Sequence, residues 1–301
     1  MNQVNTKPSI LVIMAAYNGE KYVAEQISSI LNQKDVDVEL AIYDDGSRDR
    51  TREVVNSFIK DYNNISYIVN EKNKGFAYNF FDALFQTKKK YDYYAFSDQD
   101  DYWENNKLIN AVKTIENINS EKGCLYCSNL KIGDEKLNVY DIQEKRDLSK
   151  YKKYTVLSSN FATGCTIVFD YKLFERIIKH YPSKNIQLHD YWILLIAAFT
   201  ANYCYDFNSY IIYRQHSNNQ IGASKRIIKK GNNKKYSTSS IIANFLESYK
   251  DDIDDRDKKL LNKISNYKRS LKDKIYLLFS RKIVSRKNKL KFKIKILLNK
   301  Y

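Results

Sequence analysis

The chain has 301 residues, of which 43% are hydrophobic and 14% aromatic, enough to form a core, so a wholly disordered chain is excluded. Only two prolines and eight glycines are present, which also excludes a collagen-like protein. The net charge of +16 is uneven, because residues 225–301 contain 24 Lys and Arg against 7 Asp and Glu, whereas residues 1–224 contain 27 and 28. We therefore predict a near-neutral α/β domain, residues 1–222, and a basic helical C-terminal region, residues 223–301.

Strand and helix patterns alternate in the first half. Four apolar runs of strand length, at 9–15, 38–43, 65–69 and 92–96, are separated by segments with helical spacing. Asn18 is a candidate N-cap for the first of these helices. Repeated units of this length predict a mostly parallel sheet with helices on both faces.

The second half is less regular. We predict a strand at 165–169, a helix at 171–180, an apolar helix at 189–201 and a strand at 203–213, followed by basic helices. No apolar run reaches the roughly 20 residues that a membrane-spanning helix needs, and no signal peptide is evident.

The four cysteines do not indicate a disulfide framework. Cys124 and Cys127 have CxxC spacing, but no second pair of ligands completes a zinc site. We interpret both as small apolar residues on a buried strand. A reducing compartment follows as the simplest location.

Three polar clusters each follow a predicted strand: Tyr17-Asn18, Asp44-Asp45-Gly46-Ser47 and Ser97-Asp98-Gln99-Asp100-Asp101. In parallel sheets the carboxyl ends of the strands lie at one edge, where ligands bind. The sequence therefore predicts that the three clusters share an active-site edge.

The cluster at 97–101 contains three carboxylates, which repel one another unless a cation compensates them. Mg²⁺ or Mn²⁺ would suit their oxygen ligands, and such a metal could hold a diphosphate. The alternative is an acidic loop in which Asp100 and Asp101 cap the following helix. The cluster at 44–47 likewise fits either a simple turn or a carboxylate that binds a uracil, a thymine or a ribose.

Seven motifs occur in an order that resembles the inverting glycosyltransferases of family 2, which have the GT-A fold, and especially the bacterial polysaccharide rhamnosyltransferases. They are Ala15-Ala16-Tyr17-Asn18-Gly19, Asp44-Asp45-Gly46-Ser47, Asn73-Lys74-Gly75, Ser97-Asp98-Gln99-Asp100-Asp101, Thr163-Gly164-Cys165, His189-Asp190-Tyr191-Trp192 and Tyr213-Arg214-Gln215-His216. The resemblance covers roughly residues 9–222 and leaves the basic region outside.

The resemblance implies a role for each matching residue. Asp190 would be the catalytic base, and the metal ligands would be Asp98, Asp100 and His216, with Asp101 able to share that task. The nucleotide-sugar would contact Ala16, Tyr17, Asn18, Glu20, Asp45, Gly75, Asp98 and Arg214. Without the resemblance, Asp190 at the start of an apolar helix would be interpreted as an N-cap, and His216 as a surface histidine.

These roles form a complete set for inversion, because a single displacement at the anomeric carbon needs one base and no covalent carboxylate nucleophile. The resemblance implies transfer of a sugar, most simply L-rhamnose from dTDP-rhamnose, to a bacterial cell-surface or capsular glycan precursor. One alternative is a UDP-hexose-dependent transferase carrying glucose, galactose or galactofuranose. Another, of a different class, is a basic nucleic-acid- or membrane-binding protein with an inert α/β domain.

The basic segment 274–301 has ten Lys and Arg, no acid, and apolar residues near helical spacing. It could lie on an anionic membrane surface, which would suit a lipid-linked acceptor and a cytoplasmic enzyme at the inner face of the plasma membrane. The alternative is a solvated pair of helices packed on the main domain. Period-two alternation at 291–295 leaves the helix itself open. No nucleic-acid-binding motif is present, so we expect no nucleic-acid partner.

Overall fold

The computed structural model describes residues 6–145, 153–182, 186, 188–217, 219, 237–280, 282–283 and 289–301. The proposed boundary between residues 222 and 223 lies outside these ranges. The strands are β1 Ser9–Ala16, β2 Asp37–Asp44, β3 Ile65–Val69, β4 Tyr93–Asp98, β5 Tyr102–Trp103, β6 Cys124–Gly133, β7 Val139–Ile142, β8 Val168–Asp170 and β9 Asn202–Arg214. The helices are α1 Val23–Leu31, α2 Thr51–Asp61, α3 Phe76–Gln86, α4 Lys107–Ile118, α5 Tyr171–Ile177, α6 His189–Thr200, α7 Thr238–Tyr249, α8 Asp255–Asn266, α9 Leu271–Phe279 and α10 Lys289–Leu297.

One sheet organises the described chain, in the order β3-β2-β1-β4-β8-β6-β9-β5, with β7 paired to β6. Strands β1 to β4 are parallel, as is the pair β6 and β9. Strand β8 runs antiparallel to both of its neighbours. The predicted α/β fold is confirmed, and its parallel half is the part that the sequence defined most clearly.

Helices cover both faces of the sheet, and β1 shows why. Its residues alternate between two apolar clusters, with Ile10 and Val12 facing one and Leu11 and Ile13 the other. The first cluster includes apolar residues of α1, α2 and α4, and the second those of α3 and α5 to α10. A strand buried on both faces must be continuously apolar, which is the pattern read from the sequence.

The basic C-terminal helices are part of the second cluster. Ile242 of α7, Leu261 of α8, Leu277 of α9 and Ile296 of α10 are fully buried in it. Tyr301 is also buried, and its hydroxyl donates to the carbonyl oxygen of Leu157. These helices therefore pack against the same core as the sheet. Among the described residues, no helix is both long enough and apolar enough to cross a bilayer.

Several local predictions were wrong in detail. The strand predicted at 165–169 begins only at Val168, because residues 164–166 form a 3₁₀ turn. The helix predicted at 171–180 ends at Ile177. The CxxC interpretation is confirmed, since Cys124 and Cys127 are both fully buried on β6 as free thiols.

Candidate active site

Three loops meet where β1, β2 and β4 end. In the sheet register Ala16 pairs with Asp44, and Ala15 pairs with Asp98. The polar clusters that follow these strands are thereby brought to one edge, as the sequence indicated. The segments 17–20, 45–50 and 99–101 form this edge.

The loop after β1 is bound to the loop after β2. The Asn18 backbone N–H donates to Ser47 Oγ at 2.8 Å, and Asn18 Oδ1 accepts from the backbone N–H of Arg48 at 2.8 Å. Asn18 has a φ of 49°, and α1 begins only at Val23 without a side-chain cap. The prediction of Asn18 as an N-cap was therefore wrong. Its left-handed backbone, which asparagine tolerates well, serves the contact between loops.

Two aspartates at the end of β2 shape the same edge. Asp44 Oδ1 accepts from the Ser47 backbone N–H at 2.7 Å, so the turn expected for this motif is present. The buried Asp45 carboxylate accepts from the backbone N–H groups of Lys74 and Gly75, each at 2.8 Å. Asp45 thus fixes the loop before α3, where Gly75 has a φ of 82°.

The acidic cluster does not cap a helix. Helix α4 begins at Lys107, and its N-cap Asn106 makes no side-chain cap hydrogen bond. The short strand β5 follows the cluster instead. The helix-cap alternative for Asp100 and Asp101 is therefore excluded.

The carboxyl groups of this cluster are crowded and poorly solvated. Burial, together with the nearby Asp100 and Asp190, raises the pKa of Asp98 to about 7. Burial also raises the pKa of Asp101 well above its usual range, with Asp100 and Asp98 adding to the effect. Asp101 Oδ2 has no hydrogen-bond partner among the described residues. Such a carboxyl group costs free energy unless a cation or a proton compensates it.

These residues fit a divalent cation. Ligand atoms of Asp98, Asp101 and Cys165 all lie within 4.8 Å of one another. Hard cations such as Mg²⁺ and Mn²⁺ prefer the two carboxylates, whereas burial keeps Cys165 protonated by raising its pKa. Asp100 lies beside this group, and its Oδ2 is 2.8 Å from His216 Nε2. The candidate metal site therefore joins the acidic cluster to the segment after β9.

Arg214 holds that segment in place. Its Nε donates to the carbonyl oxygen of Asp100 at 2.8 Å, and its other two guanidinium nitrogens donate to the Glu135 carbonyl and to the Glu25 carboxylate. Only 2% of Arg214 is exposed, and the guanidinium lies 4.6 Å from the Tyr22 ring centre. These contacts assign it a positioning role in the structure, while a direct contact to the nucleotide-sugar stays a prediction.

Asp190 lies near the acidic cluster, in the first turn of α6. It does not cap the helix, since Leu188 precedes the first residue, His189, and makes no side-chain cap bond. Its carboxylate accepts from the Tyr191 backbone N–H at 2.6 Å, and Asn160 and Gly164 lie close enough to favour its charged form and lower its pKa. Burial nevertheless raises the pKa of Asp190 to about 6. That value suits a general base near neutral pH.

His189, the residue before Asp190, packs among aromatic side chains. Its ring lies 4.1 Å from that of Phe80 and 5.1 Å from that of Phe96, centre to centre. Neither ring nitrogen has a hydrogen-bond partner among the described residues, and burial lowers the pKa of His189 to about 3. It is a neutral side chain that packs the start of α6 onto the sheet.

Sequence reasoning missed three residues of this region. Cys165, whose Sγ lies within 4.8 Å of carboxylate oxygens of Asp98 and Asp101, was identified only as part of a motif. Asn160, which lies close to Asp190 and lowers its pKa, follows no recognisable pattern. Gln99 binds the Tyr17 backbone, although its position between two aspartates could have drawn attention to it.

Comparison with known proteins gives consistent matches. The family model described as "Glycosyl transferase family 2" matches residues 11–178. The chain is 35% identical over 225 residues to a Shigella flexneri protein named dTDP-rhamnosyl transferase RfbG, covering 70% of this chain and 74% of that one. It is 36% identical over 107 residues to an Escherichia coli protein named UDP-Glc:alpha-D-GlcNAc-diphosphoundecaprenol beta-1,3-glucosyltransferase WfaP, covering 36% and 41% of the two chains.

Solved structures agree on the fold. The first 349 residues of S. aureus TarS, in complex with UDP-GlcNAc, superpose with a TM-score of 0.62 at 16% identity, covering 97% of this chain and 80% of that one. The mannosyltransferase PcManGT from Pyrobaculum calidifontis, in complex with GDP-Man and Mn²⁺, gives a TM-score of 0.53 at 14% identity, with 97% and 74% covered.

Proposed function

Because the chain belongs to glycosyltransferase family 2 and is a glycosyltransferase, we propose that it transfers L-rhamnose from dTDP-rhamnose to a hydroxyl group of a bacterial cell-surface glycan precursor. The choice of dTDP-rhamnose as the donor rests on the 35% identity, over 70% of the chain, to a protein named as a dTDP-rhamnosyl transferase. Membership of an enzyme family argues against the alternative of an inert α/β domain.

The proposed reaction is a single displacement. Asp190 accepts the proton of the acceptor hydroxyl, whose oxygen attacks the anomeric carbon as the bond to the diphosphate breaks. Asp98, Asp100 and Asp101, with His216 beside them, would hold a divalent cation. When bound, that cation stabilises the negative charge of the departing nucleoside diphosphate. The loop at 17–20, Asp45 and Gly75 would line the nucleoside side of the site.

Turnover of a donor panel tests the sugar and the base. The purified chain is given dTDP-rhamnose, UDP-glucose, UDP-galactose and UDP-galactofuranose with Mn²⁺, and again with EDTA. We expect dTDP-rhamnose to be consumed fastest, and EDTA to suppress the turnover. Faster consumption of a UDP-hexose would replace the rhamnose proposal by the alternative that the similarity to WfaP favours.

We also propose that the acceptor is lipid-linked and that α9 and α10 contact an anionic membrane, at the inner face of the plasma membrane. On these helices Leu271 is 72% exposed, Phe279 78% and Leu290 60%. Exposed or partly exposed lysines stand among them, whereas Asp273 is their sole acid, paired with Lys263. Apolar side chains would enter the interface while lysines bind anionic headgroups. The name of the relative WfaP includes a diphosphoundecaprenol-linked sugar.

Substitution tests this surface better than truncation, because removal of residues 274–301 would take Phe292, Ile296 and Tyr301 out of the core. Phe279→Glu should weaken binding to phosphatidylglycerol vesicles by about tenfold or more, since it removes a large apolar side chain from the lipid interface. Tyr62→Glu, at a side chain 43% exposed after α2, is the control. Equal binding of the two variants would remove α9 from the proposed membrane surface.

A further inference from the structure

We infer that Gln99 is a positioning residue that couples the nucleoside side of the site to the metal side. Its Oε1 accepts from the Tyr17 backbone N–H at 2.8 Å, and its Nε2 donates to the Tyr17 carbonyl oxygen at 2.9 Å. One side-chain amide thus satisfies both backbone groups of one residue. We call this pair of hydrogen bonds the Gln99 clamp.

The clamp continues the sheet beyond its last backbone pairing. Strands β1 and β4 are paired up to Ala15 and Asp98. Beyond that pair the two strands end in separate loops, and the Gln99 side-chain amide connects these loops through its hydrogen bonds to Tyr17. Because Gln99 lies between Asp98 and Asp100, it fixes two carboxylates of the acidic cluster relative to the backbone at Tyr17.

Gly19 shows that the clamp requires space. A Cβ atom at Gly19 would lie 2.2 Å from Gln99 Oε1 and 2.4 Å from Gln99 Cδ. Gly19 is absent from the glycines with positive φ, so close approach, and not backbone conformation, demands a glycine here. The Gly19 backbone N–H in turn donates to Thr51 Oγ1 at 2.8 Å.

The loop after β1 is therefore held on both sides. Towards β2 it is bound through Asn18 to Ser47 and Arg48, and towards β4 it is bound through Gln99. Under the proposed function, on which this inference rests, the first side receives the nucleoside and the second receives the cation and diphosphate. A nucleoside diphosphate spans both, so its affinity depends on their relative position.

Nucleotide binding with and without metal measures this coupling. Gln99→Met keeps the length of the side chain and removes both hydrogen bonds. We expect it to bind thymidine and uridine as the unaltered chain does. The factor by which Mn²⁺ tightens dTDP or UDP binding should fall about tenfold, the size expected when about two ordinary hydrogen bonds are lost. Gln86→Met, at an exposed glutamine ending α3, is the control and should keep the full factor.

A double-substitution cycle tests the contact itself by thermal unfolding. Gly19→Ala should lower the Tm in the unaltered chain, because its Cβ displaces the Gln99 amide. In a Gln99→Ala background the same change should lower the Tm far less, since the space is then open.

The outcomes separate this inference from the proposed function. If the unaltered chain binds neither dTDP nor UDP with Mn²⁺, the proposed function fails and the coupling fails with it, while the unfolding cycle still reports on the contact. If it binds them and Gln99→Met keeps the full Mn²⁺ factor, the coupling is refuted and the proposed function stands. Additive Tm changes would refute the contact between Gly19 and Gln99.

Discussion

The active-site edge and the surface of α9 and α10 depart from an ordinary protein surface in opposite ways. At the edge, charged groups such as Asp45 and Arg214 are buried and bound by backbone donors or acceptors. On α9 and α10, large apolar side chains such as Phe279 are exposed. Burying a charged group costs free energy unless it is paired, and exposing a large apolar area lowers solubility. The comparison indicates that the first region is built to hold fixed geometry, and the second to meet an apolar partner.

The largest effect should come from Asp190→Asn, which removes the proposed base and keeps the size of the side chain. We expect the transfer rate to fall by about 10²- to 10⁴-fold, the usual contribution of a general base. Binding of the nucleotide-sugar and of vesicles should be unchanged, which would confine the chemistry to the sheet edge. Initial rates and donor titrations measure both quantities. Asp61→Asn, at an exposed position ending α2, is the control; retained transfer by Asp190→Asn would exclude Asp190 as the base.

A second prediction divides α10 into an inner and an outer face. Ile296 is fully buried in the core shared with the sheet, whereas the adjacent Leu297 is 55% exposed. Ile296→Ala should lower the free energy of unfolding by about 2–5 kcal/mol through loss of burial and formation of a cavity. Leu297→Ala should change it by less than about 0.5 kcal/mol and weaken vesicle binding instead.

Denaturant unfolding and vesicle binding of these two variants complete the comparison. Similar losses of stability would mean that both faces of α10 are packed. A loss of vesicle binding in Ile296→Ala, with none in Leu297→Ala, would place the membrane contact elsewhere.

The sequence predicted the first half of the fold well, because strands buried on both faces leave continuous apolar runs. The runs at 9–15 and 65–69 became β1 and β3 with almost the same ends. Local spacing was less informative where the backbone turns sharply, as at 164–166, where a 3₁₀ turn takes up the first residues of the run predicted as a strand at 165–169. It was also ambiguous for α10, whose period-two alternation fits a strand as well as a helix.

The site was predictable only to the level of loops. The alternation of strands and helices predicts parallel strands, whose carboxyl ends lie at the same edge of the sheet. The proximity of the clusters at 44–47 and 97–101 therefore followed from the sequence. The contacts of Arg214 with Asp100 and Glu135 depend on the pairing of β9 with β5 and β6. Such pairing joins residues far apart in the chain, and no local pattern reports it. The proximity of Asn160 to Asp190 was hidden for the same reason.

The smallest expected effect is the dependence of the transfer rate on pH, which can distinguish the roles of two carboxyl groups at the active-site edge. Burial raises the pKa of Asp190 to about 6 from an ordinary 3.8. A base must be deprotonated to act, so transfer is retained above this pKa and falls as the pH drops through it. We expect kcat/KM to decline about tenfold per pH unit below about pH 6. A pH–rate profile from pH 4.5 to pH 8 at saturating Mn²⁺ measures this decline.

Asp98 offers a competing explanation, because burial and neighbouring carboxylates raise its pKa to about 7. Protons and metal compete for a ligand carboxylate, so an acid limb caused by Asp98 would move to lower pH as Mn²⁺ is increased. A limb caused by Asp190 would stay in place, because that carboxylate binds the acceptor proton and not the cation. A limb that moves with Mn²⁺ would therefore assign the pH dependence to the metal site, and a fixed limb near pH 6 would assign it to the base.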